Sequence, residues 1–184
     1  MIVTIAELVV GDEPDAWRAA GFTVDGDVCH LADVRVRLVG ESHGRRILGW
    51  TLAGIDPTGL DPAGDGSGAG GEPAGDGVLP RTRLDGLPTG FAPRVDDTFG
   101  GPGDDEGGDT PVEHPNGVVG LDHVVILTPD SDRTRGALEA VGLEARRVRE
   151  TEQYGSPMLQ TFFRAGPVIV ELVGPVTPLG DGEP

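Results

Sequence analysis

The sequence predicts an α+β fold made of paired βαβββ modules. Three observations carry this expectation. Residues 118–177 read in the order strand, helix, strand, strand, strand. Residues 1–56 repeat that order in weaker form. Between them, residues 57–117 are dominated by Gly, Pro and Asp, without the apolar side chains that offset ordering entropy. A short tail, 178–184, closes the chain.

The second module reads element by element. Residues 118–127 are β-rich. Thr128-Pro129-Asp130 stops that strand and offers Thr128 or Asp130 as the helix N-cap. Residues 131–141 put Thr134, Ala137, Leu138 and Val141 on one helical face, and Gly142 suits the turn that ends the helix. Strands are expected at 145–151, 158–164 and 167–173.

The first module follows the same plan. Residues 2–10 form a strand, Pro14 sits in the first turn of a short helix, and Gly21 ends it. AWRAAGF, starting at Ala16, falls in register with ALEAVGL, starting at Ala137. Residues 22–24 and 28–31 flank Asp25-Gly26-Asp27, a hairpin turn. Residues 34–39 alternate apolar and arginine, and residues 45–55 supply the last strand. Matching Gly11-Asp12 to Pro129-Asp130 sets Ile5 opposite His123. Matching Leu52-Ala53-Gly54 to Leu172-Val173-Gly174 sets Thr51 opposite Glu171. A slip in register brings Ala6 or Glu7, and Trp50 or Leu52. Within the linker, residues 61–77 and 96–108 read as mobile chain. VLPRTRLDGLPTGFAPR is the exception, because Leu79, Leu84, Leu87 and Phe91 can dock on a neighbouring surface.

Charge narrows the choice of partners. All 14 positive side chains are arginine, against 31 acidic residues, for a net charge of -17. Such a potential repels nucleic acid and anionic membrane surfaces. Cys29 is the only cysteine, so no intrachain disulfide forms. The N-terminus lacks a basic leader, and no apolar run reaches the roughly 20 residues of a membrane span. A cytoplasmic location is expected.

Several side chains stand out. On the strand at 118–127, His123, Val125 and Leu127 share a face; on the last strand, so do Ile169, Glu171 and Val173. A carboxylate inside Val-Ile-Val-Glu-Leu-Val is costly to bury unless it is paired, hydrogen-bonded or metal-bound. Gln160, Phe162 and Arg164 share a face, as do Arg147 and Arg149, while Arg146 takes the other. Arginine grips carboxylate or phosphate well. We take Arg149, Gln160, Phe162 and Arg164 as candidate ligand contacts. Cys29 and His30 are adjacent strand residues and point to opposite faces, one to the core and one outward. His43, in a turn, and His114, in the linker, are expected to be solvated, and Tyr154 lies in a turn able to lid a pocket. The glycine-rich stretch is no phosphate loop, because the chain has no lysine to complete one.

GLDHVVILTPD, ALEAVGL and FFRAGPVIVELVGP together resemble the glyoxalase, bleomycin-resistance and extradiol-dioxygenase superfamily, the vicinal oxygen chelate proteins with their glyoxalase-like domain. The resemblance implies two modules whose sheets curl as one mixed sheet around a cavity. It also implies, in metal-dependent members, a divalent ion held by first-strand and last-strand residues. His123 and Glu171 would be ligands, with Glu171 as ligand or base, for Zn, Fe, Mn or Ni. The implied function is a metal-dependent lyase, isomerase or dioxygenase acting on a small oxygen-rich molecule. The other reading is a metal-free module that binds or sequesters a small molecule. A third is that the chain is part of a longer protein. Since one chain offers only two expected ligands, a homodimer pairing two His123 and two Glu171 would complete a set.

Overall fold

The computed structural model describes residues 2–55, 82–92, 112–153 and 155–179, with the side chains of His43 and Gln153 left out. The mobile stretches expected at 61–77 and 96–108, Leu79 and the Tyr154 lid lie outside the described residues.

The first half contains β1 (Thr4–Val10), α1 (Pro14–Ala19), β2 (Val28–Leu31), β3 (Val34–Leu38), a single 3-10 turn at Glu41–His43, and β4 (Ile47–Ala53). Two short strands follow, β5 (Arg83–Leu84) and β6 (Leu87–Ala92). The second half contains β7 (His123–Leu127), α2 (Ser131–Ala140), β8 (Ala145–Gln153), β9 (Ser156–Ala165) and β10 (Val168–Pro175). Local chemistry explains the boundaries. Asp130 caps α2, its Oδ1 accepting from the Arg133 N–H at 3.0 Å. Pro14 opens α1, where its missing N–H costs nothing. Asp85-Gly86 turns β5 into β6 with both residues left-handed, at φ 47° and 84°, which an Asp-Gly pair tolerates.

The strands form two sheets. One runs β2-β3-β1-β4-β6-β5 and the other β7-β10-β9-β8. In the second, the first strand lies parallel to the last (β7 beside β10), followed by two antiparallel neighbours. The first sheet repeats this plan, with β1 parallel to β3 and β3 antiparallel to β2. The strand expected at 22–24 shrinks to a single bridge between Asp25 and Val28 around the Gly26-Asp27 turn.

This topology corrects the expected repeat. The last strand of the first module is β3, not the strand at 45–55. β4 is an addition that lies antiparallel along the other edge of β1, and β6 extends the sheet from it. The loops joining β2 to β3 and β9 to β10 fix the correspondence. Leu31-Ala32-Asp33-Val34 matches Ala165-Gly166-Pro167-Val168, and Ala32 and Gly166 are both left-handed. In that register Glu7, not Ile5, takes the place of His123. Arg37, not Thr51, takes the place of Glu171.

One hydrophobic cluster joins the halves. It contains Ile5, Leu8, Val34, Trp50 and Leu52 from the first sheet, Leu138 and Val141 beside α2, and Phe163, Val170 and Leu172 from the second sheet. Leu84, Leu87 and Phe91 pack against it, so the docking expected of that segment is seen. A smaller cluster of Cys29, Leu31, Val36 and Leu38 lies under Trp17 and Phe22. Among the described residues no helix is long and apolar enough to cross a membrane.

Candidate functional site

The second sheet has one face packed on α2 and the shared core, and one open face. Cross-strand register arranges the open face in rows. His123, Ile169 and Arg164 form the first row. Val125, Glu171, Phe162 and Arg147 form the second. Leu127, Val173, Gln160 and Arg149 form the third. Every site residue expected from the sequence therefore lies on this one face. His123 and Glu171 belong to neighbouring strands, in rows one step apart.

At its centre a polar chain crosses three strands. The Gln160 amide Nε2 donates to Glu171 Oε1 at 2.8 Å, and Arg149 Nε donates to the Gln160 carbonyl oxygen. Gln160 is buried and Glu171 half-buried, so the amide is held in one orientation between a cation and an anion. The Arg149 guanidinium also lies over the Phe162 ring, 5.6 Å from its centroid. Arg164 donates to the Pro167 carbonyl at 3.1 Å and stays exposed. This explains how a carboxylate is tolerated in the apolar last strand: it faces away from the core and is hydrogen-bonded.

The donor set does not fit a resident divalent ion. Glu171 is drawn toward Gln160 on β9, away from β7. His123 bonds its own neighbour, Asp122, through Nδ1 at 2.8 Å. Among the described residues no group of three or more His, Cys, Asp and Glu side chains converges. Glu7, at the position matching His123, is ion-paired with Arg35 and with Arg37, the latter at 3.3 Å. Arginines thus hold the carboxylate that a cation would need.

The remaining candidates resolve simply. Cys29 is fully buried, which pushes its thiol pKa up, and His30 points outward from the opposite face, so the two do not act as a pair. His114 corrects the expectation of a solvated side chain. It is buried, its Nδ1 accepts from the Thr23 N–H at 3.0 Å, and its Nε2 bonds the His30 carbonyl at 2.8 Å. A carbonyl only accepts, so Nε2 carries the proton. His114 pins residues 112–117 to the first module, where Asn116 also bonds Gly21 and Ala20.

No family profile and no curated protein matches this sequence. A solved structure does match: a triple mutant of 4-hydroxymandelate synthase from Streptomyces coelicolor, 14% identical, with a TM-score of 0.52. The alignment covers 96% of this chain and 64% of that one, so the chain spans about 64% of the length of its structural neighbour. The chain shares the fold of this neighbour. The likeness concerns architecture: two βαβββ modules, two mixed sheets and few helices. Sequence reasoning found the second module's face from strand alternation. It reached Glu7 only as a slipped alternative and missed Arg37, because the signal lay in the β2–β3 turn and not in the strand ends.

Proposed function

We propose that this chain binds a small, oxygen-rich molecule on the open face of the second module, without a resident metal. The observation that carries the reading is the chain Arg149–Gln160–Glu171, a donor and an acceptor joined through one amide. Arg149 makes no other hydrogen bond among the described residues, so its terminal amino groups can receive a carboxylate. Glu171 can accept from a hydroxyl, and Phe162 offers a ring face. A hydroxycarboxylic acid with an aromatic ring has those three features.

The structural neighbour's name supplies a probe, 4-hydroxymandelate. Calorimetric titration should show saturable binding. Arg149→Gln and Glu171→Gln should each weaken it about tenfold, roughly 1.4 kcal/mol. Zn, Fe, Mn and Ni should not bind tightly. Stoichiometric tight binding of any of them to the monomer, lost on Glu171→Gln, would overturn the metal-free reading.

One observation favours a second reading, a metal site shared by two chains. The outer edge of β7 has no strand partner among the described residues, and Val125 and Leu127 on it are 45% and 77% exposed. A second copy pairing there would gather two His123 and two Glu171. Mass measurement in solution with metal titration tests it. A dimer that forms only with metal and dissociates on Val125→Lys supports this reading, and a metal-free monomer at all concentrations rejects it.

A further inference from the structure

We infer that the first module carries a second ligand site, for a compact anion bearing a carboxylate or phosphate group, built on Arg35 and His30. The corrected register motivates the search. It places Val28, His30 and Arg35 at the positions of Phe162, Arg164 and Ile169, on the first module's counterpart of the Glu171 face. The central position has changed sign, since Arg37 stands where the second module has Glu171.

A cavity of 390 Å³ opens on that face, lined by Thr23, Asp25, Val28, His30, Arg35 and Val112. Its wall is held in place. Thr23 Oγ1 donates to the Glu113 carbonyl at 2.6 Å, and the two bonds of His114 tie Thr23 to His30. Arg35 reaches the cavity with its side chain 52% exposed, while Glu7 beneath it is 9% exposed. Glu7 faces two guanidiniums, those of Arg35 and Arg37.

Arg35 holds the buried Glu7 Oε2 through one amino group, Nη2. Its other N–H groups make no hydrogen bond among the described residues, so they can donate to an incoming anion while Nη2 stays on Glu7, and the His30 imidazole lines the same space. Asp25 also lines the cavity and disfavours anions of higher charge.

The test is a titration of the full chain with inorganic phosphate and, separately, with acetate, followed by amide NMR at constant ionic strength. One of the two should give saturable shifts at Thr23, His30 and Arg35 with a midpoint of roughly 1 mM; the titrant that saturates identifies the anionic group. Arg35→Gln should weaken binding about tenfold and Glu7→Gln, which releases the guanidinium, should tighten it. Glu171→Gln should leave it unchanged, which separates this site from the second module's face. Absence of saturable shifts with either anion, or binding that survives Arg35→Gln, overturns the inference.

Discussion

The two modules share one plan and use it in opposite ways. In the second, the face away from the helix is held by a relay ending in Glu171, a carboxylate on the last strand. In the first, the carboxylate Glu7 has moved to the first strand, and arginines occupy the last. The outer edges differ too. The edge of β1 is covered by β4, whereas the matching edge of β7 is open among the described residues. Duplicated topology therefore sets where polar side chains emerge, and not what they do. Three tests sharpen or break this comparison.

The largest effect should come from the core that both modules share. Phe163 is buried in the second sheet, yet it belongs to the same cluster as Trp50 in the first. Phe163→Ala should cost about 3–5 kcal/mol, as cavity-forming aromatic truncations do. Both tryptophans, Trp17 and Trp50, lie in the first half of the chain, so their fluorescence follows the unfolding of that half. In urea unfolding their transition should move to lower denaturant along with the far-ultraviolet circular dichroism. A tryptophan transition that stays in place would mean the halves unfold independently.

The second test compares the carboxylates. Glu7 is nearly sealed from solvent between two guanidiniums, and Glu171 is half-buried with one amide donor. Removing one member of a buried charged cluster leaves the others uncompensated. Glu7→Gln should therefore cost about 2–3 kcal/mol and Glu171→Gln about 1 kcal/mol, measured by urea unfolding at neutral pH. Equal costs would contradict the different roles assigned to the two positions.

Much of this was legible in the sequence, for physical reasons. Period-two alternation sorts each strand's side chains onto two faces, and the register joins Glu171, Gln160, Phe162, Arg164 and Arg149 on one of them. Turn chemistry located α2 through Asp130. Alternation does not say which strands pair: β3 alternates and β4 does not, yet both lie beside β1. Only the pairing of β1 with both separates the module from its addition. His114 was illegible for another reason. Its burial depends on Thr23 and His30, more than 80 residues away in the chain, and no local pattern carries that contact.

The smallest effect concerns how each first strand hands over to its helix. Asp130 caps α2 through the Arg133 N–H, and Asp130→Ala should cost about 1 kcal/mol. In the first module Asp12 lies one residue before the N-cap of α1, Glu13, which makes no side-chain cap bond. Asp12 instead accepts from the Glu13 N–H at 2.9 Å, from Trp17 Nε1 at 3.2 Å and from Arg45 Nε at 3.1 Å. The Glu13 N–H first, then Arg45 and Trp17, hold its carboxyl below the usual carboxylate range against an opposing desolvation. The sign follows from linkage. A carboxylate with a depressed folded-state pKa contributes stability that is fully present above the ordinary carboxylate range and is lost as pH falls through the lowered value. Asp12→Asn should therefore lower Tm slightly at neutral pH, and the gap from the unmodified chain should close on acidification. Thermal unfolding of both proteins across an acid series checks this. A gap that stays constant or widens in acid would show that Asp12 acts through packing and not through its charge.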